Sequence, residues 1–357
     1  MLFQKIMKNF KIENFNIGNS KAPYVIAEAG VNHNGSIKIA KKMVDVAVQA
    51  GADAIKFQSF ITEEIILKKA PKAAYHKRTT GSDKKLSWYD LLKSQEMSPN
   101  MHLKLLRYCR KKKITFLSTP YDEKSADFLE KLGIKAFKIA STDNNNIKLL
   151  AHIAKKKIPM ILSTGMMDMQ TLKQSIDTIK KNGNSQISIL QCTSNYPCNL
   201  KDSNLLLIKE FKKKFKIPIG FSDHTEGNLA SIVATSLGAC IIEKHFTLNK
   251  NLPGPDHIMS MSPGELKSFI IEVKNVSETF GKSNKKVLRC EKENFKKLKK
   301  SLVSKSFISV GRKINISMIS VKRPGIGIKA NELSLIIGKK AIKNIPKNTI
   351  LKKNMFK

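Results

Sequence analysis

The sequence predicts an α/β fold, a (β/α)8 TIM barrel followed by a small β-rich domain. Short β-branched apolar runs alternate eight times with longer helical patterns over about 260 residues, as the buried parallel strands and outer helices of a barrel require. No GxGxxG pattern follows the first run, which disfavours an open dinucleotide-binding sheet. Beyond Gly281 the composition changes to a basic stretch and then to turn-rich sequence.

Tyr24–Ala27 is the first strand, followed by a helical pattern over Ile37–Ala50; Ala54–Phe57 follows a Gly51-Ala52-Asp53 turn. Ile114–Ser118 precedes a helix over Glu123–Leu132, Ala136–Ile139 one over Ile147–Lys156, and Met160–Ser163 one over Thr171–Lys181. Ile187–Gln191 precedes Leu205–Phe215, Ile219–Phe221 precedes Asn228–Leu237, and Ala239–Glu243 precedes the amphipathic stretch Pro263–Phe280. A polar insertion between Ile61 and Ser98 interrupts the repeat, and a loop of that length is usually functional or a partner contact. The expected organisation is therefore a barrel over residues 1–281, a basic helical linker over 282–300 and a compact domain over 301–357. In that last domain Leu302-Val303, Phe307-Ile308 and Ile336-Ile337 read as strands. With under 60 residues it has little core of its own, so docking on the barrel or on another subunit is expected.

Lys and Arg number 65 against 28 Asp and Glu, a formal charge of +37. The lysine runs lie in or beside amphipathic helices without interleaved aromatics, and no nucleic-acid module accompanies them, so no nucleic-acid partner is expected. A positive field still favours an anionic substrate. The five cysteines show no CxxC spacing, so neither a zinc site nor a redox dithiol is suggested, and they suit reduced thiols in the cytoplasm. The longest mostly apolar stretch, Leu229–Ile242, is too short to span a bilayer, so no membrane partner is expected.

The predicted strand ends carry the chemistry. In order they give Glu28, Lys56 with Gln58, Thr119, Lys138 with Ser141, Ser163, Ser194 with Tyr196, Ser222 with His224, and Glu243 with His245. Polar groups at eight buried strand ends require a ligand or a network to satisfy them. Lys56 and Lys138, with the hydroxyls of Thr119, Ser141 and Ser163, suit an anion bearing phosphate and carboxylate. His224 and His245 lie on adjacent strand ends and could share a divalent ion, with Asp223, Glu243 and Asp256 nearby. With no HExxH or Cys-rich signature, an exchangeable Mn²⁺ or Mg²⁺ type of ion is expected rather than structural zinc.

Several of these segments occur together in one family. Ile26-Ala27-Glu28-Ala29-Gly30-Val31-Asn32-His33-Asn34-Gly35, Lys138-Ile139-Ala140-Ser141, Gly220-Phe221-Ser222-Asp223-His224-Thr225, Glu243-Lys244-His245-Phe246-Thr247-Leu248, Gly254-Pro255-Asp256-His257 and Lys322-Arg323-Pro324-Gly325 resemble the sialic acid synthases, in the family's order and over nearly the whole chain. The C-terminal segment resembles their antifreeze-like (SAF) domain. The resemblance implies a domain-swapped homodimer that condenses phosphoenolpyruvate with N-acetylmannosamine, or in legionaminate-type members with a 2,4-diacetamido-trideoxy sugar. Lys56, Thr119, Lys138, Ser141, Ser163 and Ser222 would then hold phosphoenolpyruvate, and His224 and His245 the metal, Mn²⁺ first with Mg²⁺ or Co²⁺ as alternatives. Gln58, Tyr196 and Asp256 would face the N-acylated sugar beside the catalytic Glu28 and Glu243, and Arg323 would reach the sugar's acyl group from the other subunit. The implied chemistry is attack of the phosphoenolpyruvate methylene carbon on the metal-polarised sugar aldehyde. Water then adds at C2 and phosphate leaves by C–O cleavage, with Glu28 the first choice of acid/base and Glu243 the second. Ser194 stands where the family often has Asn, so either Ser194 or Asn195 meets the ligand there. The insertion Ile61–Ser98 is expected to line the acceptor pocket.

Overall fold

A computed structural model describes residues 9–18, 20–72 and 87–357. The chain forms two compact units, Met1–Gly281 and Lys282–Lys357.

The first unit opens with a small antiparallel hairpin, β1 (Phe10–Ile12) and β2 (Phe15–Ile17). Eight parallel strands then close into a barrel: β3 (Tyr24–Gly30), β4 (Ala54–Ser59), β5 (Thr115–Pro120), β6 (Phe137–Ile139), β7 (Met160–Ser163), β8 (Ile187–Cys192), β9 (Ile219–Asp223) and β10 (Ile241–His245). The outer helices are α1 (Ile37–Ala50), α4 (Pro99–Lys112), α5 (Glu123–Leu132), α6 (Ile147–Lys155), α7 (Met169–Lys181), α8 (Leu207–Phe215), α9 (Leu229–Ser236) and α10 (Pro263–Thr279). The insertion after β4 contributes α2 (Thr62–Ile65) and α3 (Trp88–Gln95); its residues 73–86 lie outside the described residues.

Local sequence chemistry sets the helix limits. Ser36 caps α1 by accepting from the Ile39 amide, and Gly51 ends it at φ +84°, where a side chain would be strained. Asp122 caps α5 in the same manner, accepting from the Ser125 amide at 2.7 Å.

Strand periodicity divides the core. Val25, Ala27, Ile55, Phe57, Phe137, Ile139 and Leu162 face the helices, whereas Tyr24, Ile26, Ala54, Leu117, Ile161, Leu190 and Ile241 fill the lower barrel. Phe10, Ile12 and Ile17 of the hairpin pack into that lower layer and are buried, so the hairpin plugs the end of the barrel where the strands begin. The sequence reading missed this hairpin, because two three-residue strands leave no periodic signature. Among the described residues no helix is long and apolar enough to cross a membrane.

In the second unit α11 (Lys292–Leu298) precedes β11 (Ser301–Ser304), which pairs antiparallel with β12 (Ile319–Lys322). A separate small core gathers Leu302, Ile308, Ile314, Ile328, Ile345 and Leu351. Two expected strands are corrected here. Ile308 makes only an isolated bridge to Ile345, and Ile336 follows a 3-10 helix over Ala330–Leu335. Each apolar pair anchors one buried side chain rather than a ladder: Ile308 is buried while Phe307 is exposed, and Ile336 is buried while Ile337 is exposed.

Candidate active site

The two-residue alternation that buries Ile26 and Ala54 also carries Glu28, Lys56, Thr119, Lys138, Ser163, Ser222, Glu243 and His245 inward at the opposite, C-terminal mouth of the barrel. Strand register brings them together: Glu28 pairs with Lys56 and with His245, Gln58 with Thr119, and Glu243 with Ser222.

At the centre two ammonium groups meet two carboxylates. Lys56 Nζ lies 2.8 Å from Glu28 Oε2 and 3.7 Å from Glu243 Oε2, while Lys138 Nζ lies 3.3 Å from Glu243 Oε1. Lys56 donates to Thr119 Oγ1 at 3.2 Å, Lys138 to Ser163 Oγ at 2.7 Å, and Ser222 Oγ to Glu243 Oε1 at 3.0 Å. All these side chains are buried. The two carboxylates diverge in proton affinity. Burial, with the Glu243 charge beside it, raises Glu28 to about 7 against the pull of Lys56. For Glu243, burial is outweighed by Lys138 and Lys56, which hold it down at about 2. Burial pushes Lys138 down, whereas for Lys56 the two glutamates overcome burial and push it up. One carboxyl that can carry a proton near neutrality beside one that stays ionised is the arrangement general acid–base work requires.

Next to this array the hydroxyls of Ser141 and Ser194 crowd over the α-carbon of Gly165, so that a Cβ there would run into both. Ser194 Oγ is buried without a hydrogen-bond partner, whereas Asn195 is exposed. On the other flank Glu28 Oε1, Asp256 Oδ2 and Gln58 Nε2 all lie within 3.6 Å of where a Cβ on Gly30 would stand. These three polar groups therefore converge on one open spot. Burial raises Asp256 to about 6.

His224 and His245 face each other with ring centroids 5.6 Å apart, and the Tyr196 ring lies 4.2 Å from that of His224. His224 Nδ1 is committed to the Thr193 carbonyl at 2.8 Å. His245 Nδ1 is buried with no hydrogen-bond partner, and burial together with His224 pushes this imidazole well below its usual range. A neutral imidazole with an orphaned nitrogen, opposite a second imidazole, fits a divalent cation completing its shell with water and substrate oxygens. Among the described residues no group of three or more His, Cys, Asp or Glu side chains is placed to hold a metal by itself. Asp223, read from sequence as a neighbour of this pair, faces the helices instead. It pairs with Lys244 at 2.9 Å and accepts from Ser231 Oγ of α9 at 2.7 Å, because it stands one residue out of phase with Ser222 and His224.

Two residues that the sequence reading left out belong to the site. Asn144 is buried, and its Nδ2 donates to the Ser163 carbonyl at 3.1 Å and to the Gly165 carbonyl at 2.7 Å, fixing the turn that presents Ser163. Cys192 lies 3.5 Å from Ser141 Oγ and 3.8 Å from His224 Nδ1. Burial opposes ionisation of its thiol, but His224 outweighs it and brings the thiol to about 7. Its phase as the inward end of β8 was the available signal. Arg323 belongs to the second unit, where its Nε donates to the Leu298 carbonyl at 3.0 Å.

Comparison with known proteins gives this architecture relatives. The NeuB family matches residues 43–285 and the SAF domain residues 299–357. The chain is 40% identical to an N,N'-diacetyllegionaminic acid synthase of Campylobacter jejuni, over 93% of this chain and 99% of the relative. It is 39% identical to the synthase of the same name from Legionella pneumophila, over 94% of each chain. A crystal structure of N-acetylneuraminic acid (sialic acid) synthetase from Leptospira borgpetersenii, in complex with citrate, superposes with a TM-score of 0.71 at 33% identity, covering 82% of this chain and 96% of that one.

Proposed function

This chain belongs to the NeuB family and carries a SAF domain over residues 299–357, and from that premise we propose that it joins phosphoenolpyruvate, an N-acylated amino sugar and water, releasing phosphate and a nine-carbon 2-keto acid. The observation that carries this reading is the buried Lys56–Glu28–Glu243–Lys138 array with its ring of hydroxyls. Two buried ammonium groups and the hydroxyls of Thr119, Ser141, Ser163, Ser194 and Ser222 supply the donors that a ligand with both phosphate and carboxylate needs. Their contribution to rate lies in the charge that develops as the phosphate ester breaks.

Glu28 holds the proton at the reacting carbons, since its affinity lies near neutrality, while Glu243 remains a carboxylate and orients both lysines. Gln58, Tyr196 and Asp256 face the sugar. His224 and His245 hold a divalent cation, Mn²⁺ in the first instance, which when bound supplies Lewis-acid polarisation of the sugar aldehyde. Arg323 meets the acyl group of the sugar from a second copy of the chain, in a domain-swapped dimer.

For the acceptor, the two relatives near 40% identity over almost their full length support a 2,4-diacetamido-trideoxy sugar. N-acetylmannosamine, first choice on sequence grounds, has the support of the sialic acid synthetase structure at 33% identity. The test is incubation of the protein with Mn²⁺, phosphoenolpyruvate and each sugar in turn, following phosphate release and product mass. Turnover of one sugar at least tenfold better in kcat/KM assigns the acceptor. No turnover of either by folded, metal-loaded protein overturns the reading.

A further inference from the structure

The positive charge of the barrel is concentrated at one end and on one side. In a (β/α)8 unit the helices run antiparallel to the strands, so every helix ends at the plugged end, away from the catalytic mouth. Five consecutive helices, α4 to α8, end in basic residues: Arg110–Lys112, Lys131, Lys155, Lys180–Lys181 and Lys212–Lys214. The loops that follow continue the run with Lys113, Lys135, Lys157 and Lys216, which are exposed. The remaining barrel helices α1, α9 and α10 carry no basic residue in their last turns. Because α4 to α8 are neighbours around the barrel, the charge forms one continuous arc. Arg110 reaches the Gly133 turn after α5, Lys157 Nζ donates to the Asn182 carbonyl after α7 at 2.8 Å, and Lys212 approaches the Gly238 turn after α9.

Two bland explanations fall short. A lysine-rich composition would spread evenly, yet three helices of the same barrel lack such endings. The helix dipole favours cations in a last turn and at its cap, where Lys113 and Lys216 stand, but its influence fades there, and Lys135 and Lys157 lie beyond the caps of their helices. Nor is the arc neutralised. Lys112 pairs with Asp45 at 2.6 Å and Lys156 with Asp127 and Glu130 at 2.5 and 2.7 Å, but Lys111, Lys113, Lys135, Lys180 and Lys213 have no ion-pair partner among the described residues.

The expectation of no membrane partner rested on the lack of a spanning segment, which leaves surface binding open; we infer that this arc is a docking surface for an anionic lipid bilayer, which holds the barrel plugged end down with the catalytic mouth turned away. The arc has one arginine among many lysines, and its aromatic rings Tyr108 and Phe215 lie under Lys112 and Lys214. It thus offers a single forked donor and no uncovered ring among those two, where a nucleic-acid grip uses several of each. Flexible point charges distributed over one end of a barrel match the diffuse potential of a headgroup layer.

The experiment measures co-sedimentation of the full chain with vesicles of phosphatidylglycerol and phosphatidylcholine across salt concentrations. It compares wild type with two fivefold variants of equal charge change. One carries Lys111→Gln, Lys113→Gln, Lys135→Gln, Lys180→Gln and Lys213→Gln in the arc; the other carries Lys38→Gln, Lys42→Gln, Lys201→Gln, Lys209→Gln and Lys267→Gln elsewhere on the barrel. The arc variant is expected to lose about tenfold or more in vesicle partitioning and to show a shallower salt dependence. The control variant is expected to lose less than about threefold. Unchanged thermal unfolding and unchanged soluble turnover show that the arc variant is folded. Equal losses in both variants, or equal binding to pure phosphatidylcholine vesicles, overturn the inference. So does tighter retention on duplex DNA than on anionic vesicles at matched phosphate and salt, which would reassign the surface to nucleic acid.

Discussion

Glu28 and Lys56 face each other across neighbouring strands in paired register, 2.8 Å apart and both nearly inaccessible to solvent. Each draws the other toward its charged form against the effect of burial. Replacing Lys56 with Met leaves Glu28 and Glu243 without their shared cation and is expected to cost about 3 kcal/mol of stability. Turnover should fall below detection. Adding Glu28→Gln to that variant should recover much of the unfolding midpoint and none of the activity. Recovery of activity in the double variant would show that the pair is structural only.

Gly165 supplies a second test. A methyl group at this position meets the hydroxyls of Ser141 and Ser194, so Gly165→Ala displaces both. Since misplacement by about 1 Å costs on the order of 10²-fold, kcat/KM for phosphoenolpyruvate should drop by about that factor, with the fold retained by circular dichroism. Ser194→Ala, which removes one hydroxyl without the clash, should lose about tenfold at most. A drop confined to the sugar's KM would place these hydroxyls on the wrong substrate.

The loop that carries Asp256 is tied to the turn after β3. Asn34 Nδ2 donates to the Pro253 carbonyl at 2.8 Å and Asn34 Oδ1 lies 3.3 Å from His257 Nε2, while Asn32 Nδ2 donates to the Phe246 carbonyl at 2.9 Å. Asn34→Ala should loosen that loop and raise KM for the sugar about five- to tenfold, the worth of a hydrogen bond or two, leaving KM for phosphoenolpyruvate unchanged. Equal increases in both constants would contradict this division of labour.

His33 makes stability depend on acid. Its Nδ1 accepts the Gly35 amide hydrogen at 3.0 Å, and burial lowers its affinity for a second proton from 6.5 to about 4, helped by the nearby His102 and His257. Below pH 6.5 the unfolded chain takes up a proton that the folded chain refuses until about pH 4. Stability present above 6.5 is therefore lost as pH falls through that window, by up to about 3 kcal/mol. Denaturant unfolding at half-unit pH steps should show the decline. His33→Gln should make the decline shallower by its own share, leaving the shares of His257, which burial also lowers to about 4, and of His102 and His245, which burial lowers as well. An unchanged slope in His33→Gln would exclude His33 as the source.

The barrel was legible because a strand buried on both faces is an unbroken apolar run, and its inward polar end stands out by residue type. Lys56 and Lys138 could be placed for that reason. Asn144 could not, since a loop asparagine looks like turn chemistry until its partners, the Ser163 and Gly165 carbonyls, are known. Asp223 misled because chain proximity to His224 says nothing about side-chain direction, which reverses at each residue of a strand. In the second unit, apolar pairs such as Phe307-Ile308 resembled strands because a core this small is filled by single anchors between turns.

The hairpin packed into the lower barrel closes the floor of the candidate site, which becomes a blind cup. Under the proposed reaction, reactants and products would share the open mouth, since among the described residues the far end is filled by side chains of the hairpin and the lower barrel layer. Whichever product lies deeper must wait for the other, which predicts ordered release. Phosphate, held by the same lysines that receive the next phosphoenolpyruvate, would then compete directly with that substrate as it accumulates.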